Sequence, residues 1–174
     1  MNLAEAAAHA QELAEAGDER AIADLRREWE DEVEGSARDA DYRVRAVAYR
    51  AIGQFRYRQK LELLQRGLED ESPACRGSAL VSLELLSRDS PGVVKQTRRI
   101  LHELANDDPN QAVRRLAIVC LKNGPAVRET IALLTGLAQS DDEEKSLQEA
   151  AQKVAAFLTK KANVEANARR SGGR

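Results

Sequence analysis

Apolar residues recur along this chain at spacings of three and four, the pattern of helices that bury one face. The first run goes from Leu3 to Ala16, opened by Asn2 as a cap and closed by Gly17. Asp18 opens a helix carrying Ile22, Leu25, Trp29 and Val33, which ends near Gly35. Asp39 or Asp41 opens the next, with Val44, Val47, Ala48, Ala51 and Ile52 on one face and an end near Gly53. Leu61, Leu64 and Leu68 form the stripe of a helix from Tyr57 to Leu68. Ser72-Pro73 starts another, running to about Leu86, because proline suits the first helical position. Residues 87–92 read as a loop, and Val93 to Leu104 as a helix. Asp108-Pro109 starts a helix that runs to Leu121, before a break at Asn123-Gly124-Pro125. Val127 to Ala138 is helical, and Asp141 or Asp142 caps a last helix from Glu143 to beyond Leu158. Residues 161–174 read as a basic, flexible tail, since Ser171-Gly172-Gly173-Arg174 has nothing apolar to dock.

The helices that follow an acidic turn align with one another. Their anchor residues are Val44, Cys75, Val113 and Leu147, each preceded by a further helix with an apolar stripe. The unit is a helical hairpin repeated four times, over about residues 18–54, 57–87, 92–122 and 125–158, within one domain spanning 1–160. In three copies an Arg follows the anchor (Arg45, Arg76, Arg114). A small Ala stands three positions after the Arg (Ala48, Ala79, Ala117), and an apolar residue four beyond that (Ile52, Leu83, Leu121). In the fourth, Leu147-Gln148 replaces the anchor-Arg pair, as suits a terminal repeat.

This pattern resembles the HEAT-repeat family in its short bacterial form, over about residues 19–158. The resemblance implies an all-α fold, a right-handed α-solenoid of four hairpins with an extra N-terminal helix and a long C-terminal one. It also implies a structural ladder in which turn acids and arginines link neighbouring repeats. Asp39 or Asp41, Asp70, and Asp107 or Asp108 would pair with Arg45, Arg76 and Arg114. Finally, it places the second helix of each pair on a concave face. The outward columns there read Ala46, Gly77, Arg115 and Glu149, then Arg50, Val81, Val119 and Lys153. Two readings stand for the valines. They form an apolar groove floor flanked by Arg50, Arg115 and Lys153, suited to a partner helix or extended peptide, or they are half buried by neighbouring helices.

Composition agrees with helices and narrows the chemistry. The 174 residues include 29 Ala and 20 Leu but six aromatics, 10 Gly and 4 Pro, which disfavours sheets. No apolar run reaches the length of a membrane span, and the N-terminus lacks the basic region of a signal peptide. Cys75 and Cys120 fall at core positions, so reduced thiols in a cytoplasmic protein are expected. There is no Gly-rich phosphate loop, no metal-spaced His/Cys cluster and no nucleophile elbow. His9 and His102 sit on helices without a triad partner. A non-catalytic adaptor or scaffold that binds another protein is expected, with no cofactor and no metal. HEAT-type glycosylases and phycobilin lyases are the enzymatic alternatives. The strongly basic, aromatic-lined face of the former fits poorly with a net charge of −2.

That small net charge hides a gradient. Residues 1–41 hold 13 acids against 4 bases, whereas residues 42–66 hold 7 bases against 1 acid. Residues 151–174 hold 6 bases against 1 acid. Tyr49, Phe55, Arg56, Tyr57, Arg58 and Lys60 interleave aromatics with bases. The cluster suits a nucleic acid or an acidic surface, or else forms a turn packed by its aromatics. Nucleic-acid binding through 42–66 and the basic C-terminus is therefore the second functional reading. An acidic start facing Lys153, Lys160, Lys161, Arg169 and Arg170 also allows head-to-tail self-association.

Overall fold

A computed structural model describes residues 1–172, and among these all regular structure is helical. The helices are α1 (Leu3–Ala16), α2 (Glu19–Ser36), α3 (Tyr42–Gln54), α4 (Leu61–Leu68), α5 (Pro73–Asp89), α6 (Gly92–Asp107), α7 (Gln111–Leu121), α8 (Arg128–Gln139) and α9 (Lys145–Ser171). They gather into two compact units, Met1–Val93 and Val94–Arg174. The expected tail lengthens α9 instead: helix continues to Ser171, and Gly173 and Arg174 lie outside the described residues.

The ends of the helices follow from their caps. Asn2 accepts from the Glu5 N–H while the Glu5 carboxylate accepts from the Asn2 N–H, a reciprocal capping box. Gly17 closes α1 in the left-handed region at φ 76°. Asp18 and Asp41 cap α2 and α3. Several expected starts move. Helix α4 begins at Leu61 rather than Tyr57, because Arg56 turns the chain at φ 59° and residues 55–60 form a connection. Helix α7 is capped by Asn110, which accepts from the Ala112 and Val113 N–H groups, so Pro109 stays outside it. Asp141 and Asp142 cap nothing, and Glu144 holds the cap position of α9.

In the first unit the most extensive contact is α3 against α5, with α1 laid on α2 and α3, and α4 on α5. The approach is closest at Gly53, where an added Cβ would come within 2.5 Å of the Ser82 Cα. Ser82 exploits that proximity. Its buried hydroxyl lies 2.5 Å from the Tyr49 carbonyl and 2.9 Å from the Arg50 carbonyl, and accepts from the Gly53 N–H at 2.9 Å. The small Ala48 and Ala79 are fully buried. Val44 and Val47 depart from expectation: both are exposed, and the buried face of α3 turns instead through Arg45, Ala48, Tyr49, Ala51 and Ile52.

In the second unit α9 packs against α7 and α8. Val113, Ala117, Ile118 and Leu121 of α7 are buried, as are Leu147, Ala151, Val154, Ala155 and Leu158 of α9. Helix α6 joins them through its Ala105 carbonyl, which accepts from Arg114 Nε at 2.9 Å. His102 meets Thr130 of α8 at 2.9 Å and is largely buried rather than solvated. That burial holds its imidazole below the ordinary histidine pKa, against a smaller opposing effect of Glu129.

Candidate functional site

The ladder arginines take a different partner from the one expected. Arg45 grips Asp70 through two bonds, Nε–Oδ2 at 2.8 Å and Nη2–Oδ1 at 3.0 Å, while its Nη1 donates to the Asp39 and Ala40 carbonyls. Asp41 does not pair with Arg45, because its carboxylate is spent capping the Arg43 N–H. Arg76 does not hold the Asp70 carboxylate either, but donates to the Asp70 and Glu71 carbonyls at 3.0 and 3.1 Å. The geometry has a simple cause. Side chains on a helix lean toward its N-terminus, so each Arg folds back over its own turn. In the first unit its free edge then meets the acid preceding α5. Arg114 repeats this in the second unit with Glu143, at 2.7 Å on both nitrogens. Asp108 instead accepts from the Asn110 N–H at 2.8 Å. The bidentate bond with Arg45 holds the Asp70 carboxyl below its usual range, and Arg114 does the same for Glu143.

The aromatic-basic cluster of the first unit is interior. Tyr49, Phe55 and Tyr57 are fully buried. The Tyr49 hydroxyl donates to the Ala37 carbonyl at 3.2 Å, and that of Tyr57 donates to the Arg26 carbonyl. Phe55 and Tyr57 pack with ring centroids 5.4 Å apart. Lys60, nearly buried, donates to Glu30 at 2.7 Å and Glu34 at 2.5 Å, and stands 5.4 Å over the Tyr57 ring. Burial opposes its charge, but the hydrogen bonds it donates to the two carboxylates, with their charge, outweigh that and hold its pKa above the ordinary lysine value. Burial, then the charge of Glu30, pushes the Tyr57 phenol up. The cluster therefore offers no aromatic face to an oligonucleotide. Arg58 remains exposed near Asp89, and Arg56 reaches toward the Leu85 carbonyl at 3.4 Å. Trp29 of α2 is half-buried, and its Nε1 has no hydrogen-bond partner.

The residues expected on the outward columns separate into several environments. In the first unit Ala46 and Arg50 line a depression with Ala4 and Val47, of about 330 Å³. Gly77 and Val81 of α5 are half-buried, so the second of the two readings describes Val81. In the second unit Arg115 donates to the Ser146 hydroxyl at 3.1 Å. Val119 and Lys153 come together in a groove of about 470 Å³ between α7 and α9. Lys122, Ser146, Glu149, Ala150, Val154 and Phe157 also line it. Val119 is 40% and Phe157 46% exposed, large apolar surface for a free protein to leave open. Lys122 Nζ stands 5.0 Å over the Phe157 ring, and neither Lys122 nor Lys153 has an acidic partner among the described residues.

Sequence reasoning missed Phe157 and Lys122. The signal was present: Phe157 is the sole aromatic after Tyr57, and it stands one position off the buried series Leu147, Ala151, Val154, Leu158.

Residues 33–96 match the family of HEAT repeats. The matched segment runs from the end of α2 into α6, and contains the Arg45–Asp70 bond and the Gly53–Ser82 contact. HEAT repeats generally serve as protein-interaction scaffolds and are typically non-catalytic. The ladder bond recurs beyond the HEAT match, in Arg114–Glu143. No curated protein matches the chain. No helix among the described residues is long and apolar enough to cross a membrane.

Proposed function

We propose that this protein is a non-catalytic adaptor that binds another protein through exposed helix faces, chiefly the α7/α9 groove. The observation that carries the reading is the groove itself. Val119 and Phe157 present apolar surface beside two lysines that have no acidic partner among the described residues, in a unit whose other large apolar side chains are mostly covered. Surfaces of this kind, with an apolar centre and a charged rim, suit protein partners. Internal pairing of the arginine ladder and of Lys60 supports the same reading, since those charges hold hairpins together rather than reach outward. Burial of Tyr49, Phe55 and Tyr57 weighs against the nucleic-acid reading of residues 42–66, where Tyr42 is the exposed ring. A cytoplasmic setting fits Cys75 and Cys120, both buried and outside any disulfide among the described residues.

The test is capture of partners from native cells with the full chain, repeated with Val119→Asp and Phe157→Asp. Loss of a specific partner with unchanged helicity supports the adaptor reading. Undiminished capture by both variants contradicts the groove, and absence of any specific partner contradicts the adaptor.

A further inference from the structure

The last turns of α9 have no packing of their own. The final buried residue of that helix is Leu158, yet helix continues to Ser171. Free helices of that length are marginal in water. The overhang also continues the surface of the groove. On a helix, positions seven apart lie nearly on one line and positions four apart lie beside it. Ala150, Phe157 and Val164 therefore fall on one line, with Ala168 next to it, and Val164 is 61% exposed. Lys153 and Lys160 border this stripe on one side and Lys161 on the other. Lys161 is anchored by a 2.8 Å bond to the Gly124 carbonyl, which ties the start of the overhang to the loop after α7. Beyond Leu158 the helix carries four more bases after Thr159, at 160, 161, 169 and 170, against the single acid Glu165.

From this arrangement we infer that the groove and the overhang of α9 form one continuous seat for an acidic amphipathic helix of a partner protein. The inference rests on the adaptor reading and specifies the chemistry of the partner. Apolar side chains of the incoming helix cover Val119, Phe157 and Val164, while flanking carboxylates meet Lys122, Lys153 and Lys160. The rim sets Lys122, Lys153 and Lys160 against Glu149 of the groove, and this basic excess selects an acidic occupant. It also opposes pairing of α9 with α9 of a second copy, which would set Lys153, Lys160 and Lys161 against their own kind. The seat is built for a rod rather than a flat lipid surface, since Val119 of α7 and Lys122 just beyond its end form a second wall.

The experiment titrates the full chain with a synthetic amphipathic peptide of about 20 residues, long enough to hold a helix when bound. Its apolar positions are leucine and its flanking positions glutamate. A second peptide carries lysine in place of every glutamate. Amide chemical shifts of the labelled protein report the site. The glutamate peptide is expected to bind and to shift resonances of Val119, Lys153, Phe157 and Val164. Lys153→Glu with Lys160→Glu is expected to weaken it about tenfold or more. Phe157→Asp is expected to abolish binding with helicity unchanged. Equal binding of the two peptides, no binding of the glutamate peptide, or shifts confined to another face overturns the inference. Self-association of the free chain that the Lys153/Lys160 variant abolishes would make a second copy the occupant and also overturn it. So would binding of anionic vesicles or of a single-stranded oligonucleotide that Phe157→Asp leaves intact. If partners are captured from cells and lost on Val47→Asp but not on Phe157→Asp, the adaptor stands and this inference alone fails.

Discussion

Two lysines stand over aromatic rings in this protein, and their surroundings are opposite. In the first unit Lys60 lies 5.4 Å from the centre of the Tyr57 ring, with two glutamates on its ammonium and the ring buried. In the second, Lys122 lies 5.0 Å from that of Phe157, with no carboxylate partner among the described residues and the ring nearly half exposed. One pair closes the junction between α2 and the α3–α4 connection. The other leaves a groove open. The ammonium stands at nearly the same distance from the ring in the two places, although Lys60 is a near neighbour of Tyr57 in sequence and Lys122 comes to Phe157 from the end of another helix. What differs is whether the rest of the fold supplies acids and cover. A basic-aromatic motif is open to a partner only where its charge is left in excess and its ring uncovered.

Truncation is expected to separate the two rings most strongly. Tyr57→Ala removes a fully buried ring and its hydroxyl bond, and is expected to cost about 3–5 kcal/mol. Phe157→Ala is expected to change stability by no more than about 0.5 kcal/mol, as at other exposed sites. Chemical denaturation of both variants, fitted unit by unit if two transitions appear, measures the difference. Similar losses would mean that Phe157 is as structural as Tyr57.

Glycines sharpen the same contrast at a smaller scale. At Gly53 an added methyl meets the Ser82 backbone, so Gly53→Ala is expected to cost about 1–3 kcal/mol. At Gly136 of α8 an added Cβ meets nothing within 4 Å, so Gly136→Ala is expected to stabilise by about 0.5–1 kcal/mol. Thermal unfolding should separate them in sign.

The smallest expected effect is on the pH dependence. The carboxyls of Asp70, Glu34 and Glu143 are each held below their ordinary values of 3.8, 4.5 and 4.5. Each therefore contributes stability that is fully present above its unfolded pKa and lost as pH falls through its lower folded value. Unfolding should be promoted progressively below about pH 4.5. Asp70→Asn is expected to lower stability at neutral pH and to flatten this acid-side slope. A slope identical to that of the parent would show that the Arg45–Asp70 bond adds nothing linked to protonation.

Much of the fold was legible in the chain because hairpin repeats are written locally. The small Ala48, Ala79 and Ala117 are fully buried where their register put them. Less was legible wherever a long-range partner decides. Arg45 and Arg114 take the acid of the following turn, a choice made by stacking that one hairpin's sequence does not contain. Tyr49 and Tyr57 looked available beside their bases, and the carbonyls and glutamates that internalise them come from other helices. Ser82 was invisible as a junction, because only the closeness of α3 to α5 at Gly53 gives it three partners. At the groove, Val119 and Lys153 were legible from their register. Phe157 was not, since one exposed aromatic outside the buried series has no meaning until the wall opposite it is known.

Hydroxyl-radical footprinting read by mass spectrometry, on the full chain alone and with the glutamate peptide, tests the contrast between the two rings most directly. Tyr57 is predicted to stay unmodified in both states, and Phe157 to be modified in the free protein and protected when the peptide is bound. Modification of Tyr57 in the folded chain, or labelling of Phe157 that the peptide does not change, would contradict the account.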